Sequence, residues 1–484
     1  MTEYFDVCIV GSGFGGSVSA LRLAEKGLKT VVLERGKYFK GKDFRQTLDI
    51  KYLMNLYQIY VGRALVVLAT RCVGGGSVIY GGISLRGPTP AFEIKRDGRR
   101  MWPAAVSRKM LDPYYEKVEK MLKVNQLPWE RIPKKGGVLA NWLSREGLTC
   151  ERAPYAIYNC LECGWCICGC RFGRKQSLIL NYLPSAEEKG AVVKAECDAR
   201  EIYYNESGKR WIVRYVNKYG EESYIESRIL LLACGSIETP ALLLRSKKNL
   251  PSLNWDYVGK NLSLNGDNVF AVVVSENDLK PDTFKGREDG GVISFAYWYE
   301  KGFMLEIITA PPSVFPLMSL FYSNSSQPSN WGVNHKRLME TFRERLFFIA
   351  TVGLTPGDGE VSIDERGEPF VSYEPSEETK KYYTETSRIV QNLAEKNAAR
   401  VLFAGEGGFG GFFGTLHQLG TCRMGDDDAN SVVCGNPEKG KFGEVWGYKN
   451  LYIVDGSIFS YSLGVNPALT IAALAELISE GIPA

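Results

Sequence analysis

The chain has 484 residues, of which 45% are hydrophobic and 24% charged, and its 59 Lys and Arg nearly balance 55 Asp and Glu. This length allows two domains, each with its own core, and the net charge of +4 argues against nucleic acid or a membrane surface as a partner. We expect a cytoplasmic protein without a transmembrane segment, because no leader peptide fits before the first predicted strand and the longest uncharged stretch, residues 307–334, contains four prolines.

The first 34 residues predict a strand, a glycine-rich turn, a helix and a second strand. An apolar run over residues 5–10 leads into the turn, and a second run over residues 30–33 ends on Glu34. In such a unit Gly11 turns the chain, Gly13 lets the backbone approach a pyrophosphate and Gly16 packs helix on strand. The helix amino terminus favours phosphate charge, and an acid at position 34 can bind a ribose. The pattern predicts an adenine dinucleotide without a 2′-phosphate, FAD or NAD, held by Gly11, Gly13, Phe14, Gly15, Gly16, Glu34 and Arg35.

A second glycine cluster follows at residues 73–82. It indicates either a tight turn or backbone packed closely against a bound cofactor, which only glycine permits. The candidate cofactor contacts in this cluster are Gly75, Gly76, Ser77 and Gly81.

Five of the 12 cysteines fall between residues 160 and 170. Cys160, Cys163, Cys166 and Cys170 repeat the ligand spacing of bacterial ferredoxin loops and predict an iron–sulfur cluster. Two features depart from that pattern: Arg171 stands where ferredoxins have proline, and no second set exists. The fourth ligand therefore stays open between Cys170, Cys168, a remote thiol such as Cys197, or none. A zinc site, reduced structural thiols and a local disulfide are alternatives, the disulfide being the poorest in a cytosolic setting.

The middle of the chain predicts two groups of strands. Residues 191–199, 211–215 and 227–232 form the first group, joined through turns at residues 207–208 and 219–220. Residues 268–274 and 360–363 belong to a second region. The uncharged stretch at 307–334 is either a loop over a substrate entrance or a plain surface loop.

The carboxyl-terminal part supplies the candidate catalytic groups. His417 is one of only two histidines and lies in a loop-like segment, and imidazole is the side chain best suited to proton exchange near neutrality. A strand over residues 450–454 precedes Asp455 and Gly456, and Asn466 and Pro467 precede an Ala- and Leu-rich helix. The alternative role for Asn466 is an ordinary cap of that helix.

These motifs together resemble the glucose-methanol-choline (GMC) oxidoreductase family, and most closely its cholesterol-oxidase-like branch. The matching segments run the length of the chain: residues 11–16, 73–77, 81–82, 102–103, 111–115, 235–240, 242–243, 258–262, 450–457 and 464–471. The resemblance implies an α/β fold with a Rossmann-like FAD-binding domain and a sheet-based substrate domain, an architecture similar to p-hydroxybenzoate hydroxylase. The expected divisions are residues 1–100, 185–265 and 404–484 for the FAD domain, 101–184 for a cysteine-rich connection, and 266–403 for the substrate domain.

The resemblance also implies a reaction: an alcohol is oxidised by hydride transfer to non-covalent FAD. His417 and Asn466 match the family's two active-site positions, while Asp455, Gly456, Asn466 and Pro467 match its closing FAD motif. His417 can act as a base or donate to a developing alkoxide, whereas Asn466 can only donate. Covalent flavin attachment to Cys72 or His335 is not expected.

The cysteines bear on which electron acceptor the enzyme uses. Sugar dehydrogenase catalytic subunits in this family are similar in carrying an iron–sulfur cluster in this part of the chain, which favours a dehydrogenase that passes electrons to a protein or quinone. The alternative is an oxidase that uses oxygen and releases peroxide. A non-catalytic flavin and iron–sulfur electron carrier is a third reading, against which the sizeable middle region argues. We expect a sugar, a polyol or a sterol-like secondary alcohol as substrate.

Overall fold

The computed structural model describes residues 2–63, 65–283, 287, 289–308, 332–404 and 413–484. Most of the uncharged stretch discussed above lies outside the described residues. Ten α-helices occur in the part of the chain that the structure describes. They are α1 (Phe14–Glu25), α2 (Ile50–Leu53), α3 (Arg108–Met121), α4 (Lys134–Arg145), α5 (Tyr182–Glu188), α6 (Gly235–Arg245), α7 (Trp298–Lys301), α8 (Val333–Arg345), α9 (Glu377–Lys396) and α10 (Ala468–Gly481).

The strands, several of them only two or three residues long, alternate with these helices. They are β1 (Thr2–Val10), β2 (Thr30–Glu34), β3 (Tyr57–Gly62), β4 (Leu65–Thr70), β5 (Lys95–Arg96), β6 (Arg99–Arg100), β7 (Asn125–Gln126), β8 (Glu151–Arg152), β9 (Pro154–Tyr155), β10 (Val192–Ala195), β11 (Cys197–Asn205), β12 (Arg210–Asn217), β13 (Glu222–Leu232), β14 (Lys260–Leu262), β15 (Asn268–Val273), β16 (Val292–Ser294), β17 (Phe303–Ile308), β18 (Leu346–Gly353), β19 (Gly359–Ile363), β20 (Pro369–Tyr373), β21 (Arg400–Ala404), β22 (Phe413–Thr415), β23 (Met424–Gly425), β24 (Val433–Cys434) and β25 (Leu451–Ile453).

The first large sheet is built around parallel strands in the order β10-β2-β1-β13. The long strand β13 pairs with β25 in parallel at its carboxyl end and with β12 in antiparallel fashion nearer its start. Because β1, β2 and the end of β13 are buried on both faces, they are continuous apolar runs rather than alternating ones. Helix α1 covers this sheet and packs in turn against α5 and α10.

The second large sheet is antiparallel throughout, with the order β21-β15-β18-β17-β16-β8. Alternate residues of a strand face opposite sides of a sheet, and the packing follows that rule. Phe270 and Val272 of β15 join a core with Trp142 of α4 and Leu393 of α9, whereas Val273 joins a different core with Phe342 of α8. Helices therefore cover both faces of this sheet.

The observed elements confirm the α/β class and correct one detail. Helix α1 and strands β1, β2, β12, β13, β15 and β19 lie where the sequence predicts them. Residues 191–199, however, form not one strand but parts of two, because Glu196 adopts a left-handed conformation (φ 57°) between β10 and β11. The expected domain boundaries stay a prediction.

Among the described residues, no helix is both long enough and apolar enough to cross a membrane.

Candidate active site

The glycine-rich turn brings three distant segments into contact. A Cβ atom on Gly15 would lie 1.8 Å from the carbonyl oxygen of Val454, immediately after β25. Gly11 has a φ of +98°, and a Cβ there would lie 2.3 Å from the carbonyl oxygen of Ala233. Contacts this close exclude any side chain, so the start of the chain, the end of β13 and the end of β25 meet only because both residues are glycine.

Gly13 differs from its neighbours because nothing in the described protein lies within 4 Å of the position that its Cβ would occupy. It lies on the wall of a large cavity, directly before the amino terminus of α1, where no side-chain cap is formed. An uncapped amino terminus leaves backbone N–H groups free for an anion. This is the place that the sequence assigns to a pyrophosphate.

Glu34 ends β2 on the same cavity wall. Its carboxylate accepts hydrogen bonds from Ser12 N (3.1 Å), Ser12 Oγ (2.7 Å) and Gly36 N (2.9 Å). These three bonds fix the carboxylate and leave acceptor capacity for a ribose hydroxyl. Arg35 also lines the cavity, but its guanidinium donates to Glu238 (2.5 Å) and Tyr60 (2.9 Å).

Two predicted cofactor contacts do not line the cavity, and each has a structural role instead. Ser77 is buried, donates to the Gly74 carbonyl oxygen at 2.7 Å and accepts from Leu178 N at 3.0 Å. Gly16 packs against Gly11, as the turn requires. The other residues predicted in the two glycine clusters line the cavity: Gly11, Gly13, Phe14, Gly15, Glu34, Arg35, Gly75, Gly76 and Gly81.

The closing motif forms the opposite side of the cavity, with Asp455, Gly456, Asn466 and Pro467 all on its wall. The Asp455 carboxylate accepts from Gly235 N (2.8 Å), Thr239 Oγ1 (2.6 Å) and Ser457 N (2.8 Å). It thereby joins the segment after β25 to the first turn of α6.

His417 is held by a carboxylate that the sequence analysis did not identify. Its Nδ1 lies 2.8 Å from Asp267 Oδ1, and Asp267 Oδ2 accepts from Thr415 Oγ1 (2.8 Å) and Leu416 N (3.2 Å). The carboxylate selects the tautomer with hydrogen on Nδ1, which leaves a lone pair on Nε2. Burial lowers the pKa of His417, but the attraction and hydrogen bond of Asp267 outweigh this effect, so that its pKa lies above the ordinary value.

Asn466 faces His417 rather than capping α10. Its Nδ2 lies 3.4 Å from His417 Nε2, and the residue at the helix cap is Pro467, without a side-chain capping bond. The Oδ1 atom of Asn466 is buried and has no hydrogen-bond partner among the described residues. A histidine base and an amide donor therefore point into one cavity from two loops.

Glu306 is a second acid near this pair, after Asp267, and was also missed by the sequence analysis. It lies on β17, is 3% exposed and lines the same cavity. Burial raises the pKa of its carboxyl to about 7, although His417 and Asn466 limit the rise. A single acid inside the apolar run of residues 303–308 was the available signal, whereas nothing in the sequence joins Asp267 to a histidine 150 positions away.

One cavity of about 390 Å³ is lined by both the predicted cofactor residues and the groups around His417. The glycine turns and Glu34 line one part, and His417, Asn466 and Glu306 line another. We call it the main cavity. Its size and its few convergent polar groups are typical of a site for a cofactor and a small molecule.

The four cysteines with ferredoxin spacing line a second, separate cavity, which we call the cysteine cavity. Backbone N–H groups already point at two of the sulfurs: Glu162 N at Cys160 Sγ (3.3 Å), and Arg174 N and Lys175 N at Cys170 Sγ (3.3 and 3.4 Å). Hydrogen bonds of this kind stabilise thiolates and tune iron–sulfur centres. The cavity measures about 20 Å³, which is room for about one water molecule and too little for an iron–sulfur cluster.

The two alternative ligands point elsewhere. Cys168 Sγ donates to the Thr47 carbonyl oxygen at 3.4 Å, and Cys197 lines the main cavity. All cysteines are free thiols in the structure. Among the described residues no three His, Cys, Asp or Glu side chains are grouped closely enough to hold one metal ion, so the structure supports neither the predicted iron–sulfur cluster nor the alternative zinc site.

Comparison with protein families and known proteins gives consistent matches along the chain. Two family models described as GMC oxidoreductase match it, an amino-terminal one over residues 5–266 and a carboxyl-terminal one over residues 377–475. A cholesterol oxidase of Mycobacterium tuberculosis is 28% identical, with 98% of this chain and 90% of that protein covered. A long-chain-alcohol oxidase of Arabidopsis thaliana is 27% identical, over 98% of this chain and 68% of that protein.

Solved structures share the fold at lower identity. Formate oxidase of Aspergillus oryzae superimposes with a TM-score of 0.70 at 15% identity, covering 99% of this chain and 98% of that one. Pyridoxine 4-oxidase from Mesorbium loti gives a TM-score of 0.69 at 17% identity, covering 98% of both chains. At these identities the likeness establishes the fold alone.

Gly15 and Gly13 form a matched pair that separates folding from cofactor binding. Gly15→Ala destabilises the protein by about 3 kcal/mol or more, because the new methyl group collides with the Val454 carbonyl. Gly13→Ala leaves the melting temperature of the cofactor-free protein nearly unchanged but lowers the dinucleotide content. Thermal melting and the absorbance of extracted dinucleotide measure the two effects, and equal melting temperatures for both variants contradict the assignment.

The hold of Asp267 on His417 can be measured directly, since the chain has only two histidines. Asp267→Asn removes the negative charge that stabilises the imidazolium, so the pKa of His417 falls. Histidine-selective ¹³C labelling and an NMR pH titration follow both imidazoles. His417→Gln assigns the signals, and His335 serves as the internal control. A His417 signal that titrates at the same pH in wild type and Asp267→Asn rules out this coupling.

Proposed function

The chain belongs to the GMC oxidoreductase family, and on that premise we propose that it is an FAD-dependent enzyme that oxidises the hydroxyl of an apolar alcohol to a carbonyl. The observation that carries this proposal is the pairing of His417 with Asp267 and Asn466 on the wall of a cavity that also contains a dinucleotide cradle. A base and a donor beside a cofactor site are what alcohol oxidation requires.

The residues of the main cavity fit FAD. Gly13 and the uncapped start of α1 suit its pyrophosphate, and Glu34 suits its ribose. Gly76, where a Cβ would lie 4.0 Å from the Phe14 ring, leaves room for a flat ring on the same wall. When bound, FAD accepts a hydride from carbon.

The protein residues manage the hydroxyl proton. His417 Nε2 takes the O–H proton as the C–H bond gives up its hydride, and Asp267 stabilises the resulting imidazolium. Asn466 Nδ2 donates to the oxygen as negative charge develops on it. Because the pKa of His417 is raised, its imidazole loses its proton and becomes able to act as a base only as the pH rises through that pKa.

The substrate class follows from the wall around His417 and from the relatives. Ile307, Ile308 and Leu416 line this side of the main cavity, which suits an apolar alcohol better than a sugar. The curated relatives are named cholesterol oxidase and long-chain-alcohol oxidase. We therefore favour a sterol-like or long-chain alcohol, with a secondary hydroxyl as the first choice.

Oxygen is the electron acceptor that the relatives support, since both are named oxidases. In that case each alcohol loses two electrons and two protons, and O₂ becomes hydrogen peroxide. This differs from the dehydrogenase that the cysteine spacing favours.

His417→Ala lowers turnover on the order of 100- to 10,000-fold, because the proton acceptor is lost while the FAD cradle is untouched. The measurement is single-turnover flavin bleaching under anaerobic conditions, with flavin content determined in the same samples. His335→Ala is the matched control, because it removes the other histidine, and it retains wild-type turnover. Near-normal bleaching in His417→Ala contradicts the catalytic assignment.

A second candidate function is a dehydrogenase in which electrons leave through an iron–sulfur cluster. The specific observation in its favour is that the four cysteines with ferredoxin spacing line one cavity, where backbone N–H groups are directed at the sulfurs of two of them, Cys160 and Cys170. The two electrons of each alcohol would then leave one at a time to an external protein or quinone.

Anaerobic purification followed by iron, sulfide and peroxide analysis separates the two candidates. An oxidase releases one peroxide per carbonyl and contains flavin without iron. A dehydrogenase contains three or four irons with matching sulfide and yields little peroxide but reduces a quinone. A colourless protein without flavin overturns both.

A further inference from the structure

The loop that carries Asn466 is held by one buried asparagine. Asn265 is fully buried, and its Oδ1 accepts hydrogen bonds from Leu463 N (2.9 Å) and Gly464 N (3.1 Å). Its Nδ2 donates to the Val465 carbonyl oxygen at 2.8 Å. One amide therefore fixes the backbone of the three residues that precede Asn466.

The turn that contains this asparagine also holds His417. Asn265, Gly266 and Asp267 are consecutive, and Asp267 Oδ1 lies 2.8 Å from His417 Nδ1. Asn265 and Gly266 both have left-handed backbones, with φ of 53° and 63°, a region that asparagine and glycine tolerate better than other residues. One turn thus contacts both proposed catalytic groups, His417 directly and Asn466 through its loop.

The turn itself is anchored between β18 and α9. Gly353 N, at the end of β18, donates to the Asn265 carbonyl oxygen at 2.9 Å. The hydroxyl of Tyr382, on α9, donates to the Gly266 carbonyl oxygen at 2.8 Å. A Cβ on Gly266 would lie 2.7 Å from both the Gly353 carbonyl oxygen and the Tyr382 hydroxyl. The turn is therefore a fixed support, to which the Asn265 side chain ties the loop before Asn466.

We propose that Asn265 is a positioning residue that sets the place of Asn466 relative to His417. The inference rests on the proposed function, in which Asn466 Nδ2 donates to the oxygen from which His417 takes the proton. The two side chains lie 3.4 Å apart, and both must reach that one atom. A displacement of about 1 Å can cost on the order of 100-fold in rate. Asn265 is not among the described residues that line the main cavity, so its effect on the reaction passes through this loop.

The test is a double-mutant cycle on the rate of anaerobic flavin bleaching by cholesterol or dodecanol, whichever reduces the wild type faster. Asn265→Gly removes the three side-chain bonds, while glycine keeps the left-handed backbone. We expect the rate to fall about 10- to 100-fold, with the half-saturating substrate concentration nearly unchanged. In the Asn466→Ala background the same substitution changes the rate by less than about twofold, because the group that it positions is already gone.

Two further variants separate positioning from a general loss of structure. Asn265→Asp still accepts from Leu463 N and Gly464 N, so it retains most of the wild-type rate. Asn450→Gly is the matched control, because Asn450 also has a left-handed backbone (φ 59°) but is not among the described residues that line the main cavity. It leaves the rate unchanged, and melting temperatures are measured for every variant.

The pKa of His417 provides a second readout. Asp267 still contacts the ring in Asn265→Gly, so the imidazole titrates in NMR at the wild-type pH. A shifted titration overturns the proposal, because the substitution then acts through the turn and not through Asn466. An equal loss of rate with and without Asn466 overturns it as well.

The remaining outcomes are also decisive. If Asn265→Gly does not fold, Trp298→Phe replaces it in the cycle, since Trp298 Nε1 donates to the Gly464 carbonyl oxygen of the same loop at 3.0 Å. It must slow bleaching only where Asn466 is present. If Asn466→Ala bleaches at the wild-type rate, the proposed role of Asn466 fails and this inference falls with it. Bleaching that Asn466→Ala slows and Asn265→Gly does not overturns this inference alone.

Discussion

The absence of a side chain at Gly15 is the constraint on which the rest of the site depends. The backbone of the first turn contacts the Val454 carbonyl, and any side chain at Gly15 would push the opening βαβ unit away from the closing segment. That contact places the start of α1 beside Asp455 and, further along, Asn466. The dinucleotide cradle and the proposed catalytic pair are consequently parts of one packed unit.

The proposed catalytic groups come from three separate places in the chain. Asp267 immediately precedes β15, His417 follows β22, and Asn466 precedes α10. Asp267 bonds Thr415 and Leu416 as well as His417, so one carboxylate fixes both the loop and the ring. Its negative charge also raises the pKa of His417, the residue that accepts a proton in the proposed chemistry.

Local sequence patterns predict individual strands and helices of this protein, but not the side-chain pairs that only tertiary contacts bring together. The glycine spacing placed β1, α1 and β2 correctly, since each position has a steric reason visible in the sequence. His417 and Asn466 were identified through a resemblance, yet Asp267 was not, because only folding brings it to the histidine. Ser77 illustrates the same limit: a buried serine that bonds Gly74 and Leu178 has the same sequence signal as one that touches a cofactor.

The two cavities are neighbours, and their linings differ in charge. Ile167 lines the main cavity while Cys166 lines the cysteine cavity, and Lys175 ties Cys166 to Tyr80 on the wall of the main one. Acids such as Glu34, Glu306 and Asp455 line the main cavity together with Arg35 and Arg245, whereas the charged residues in the described lining of the cysteine cavity are all basic. The wall at residues 166 and 167 therefore separates two linings of different charge, and of the two it is the main cavity that contains the groups of the proposed alcohol oxidation.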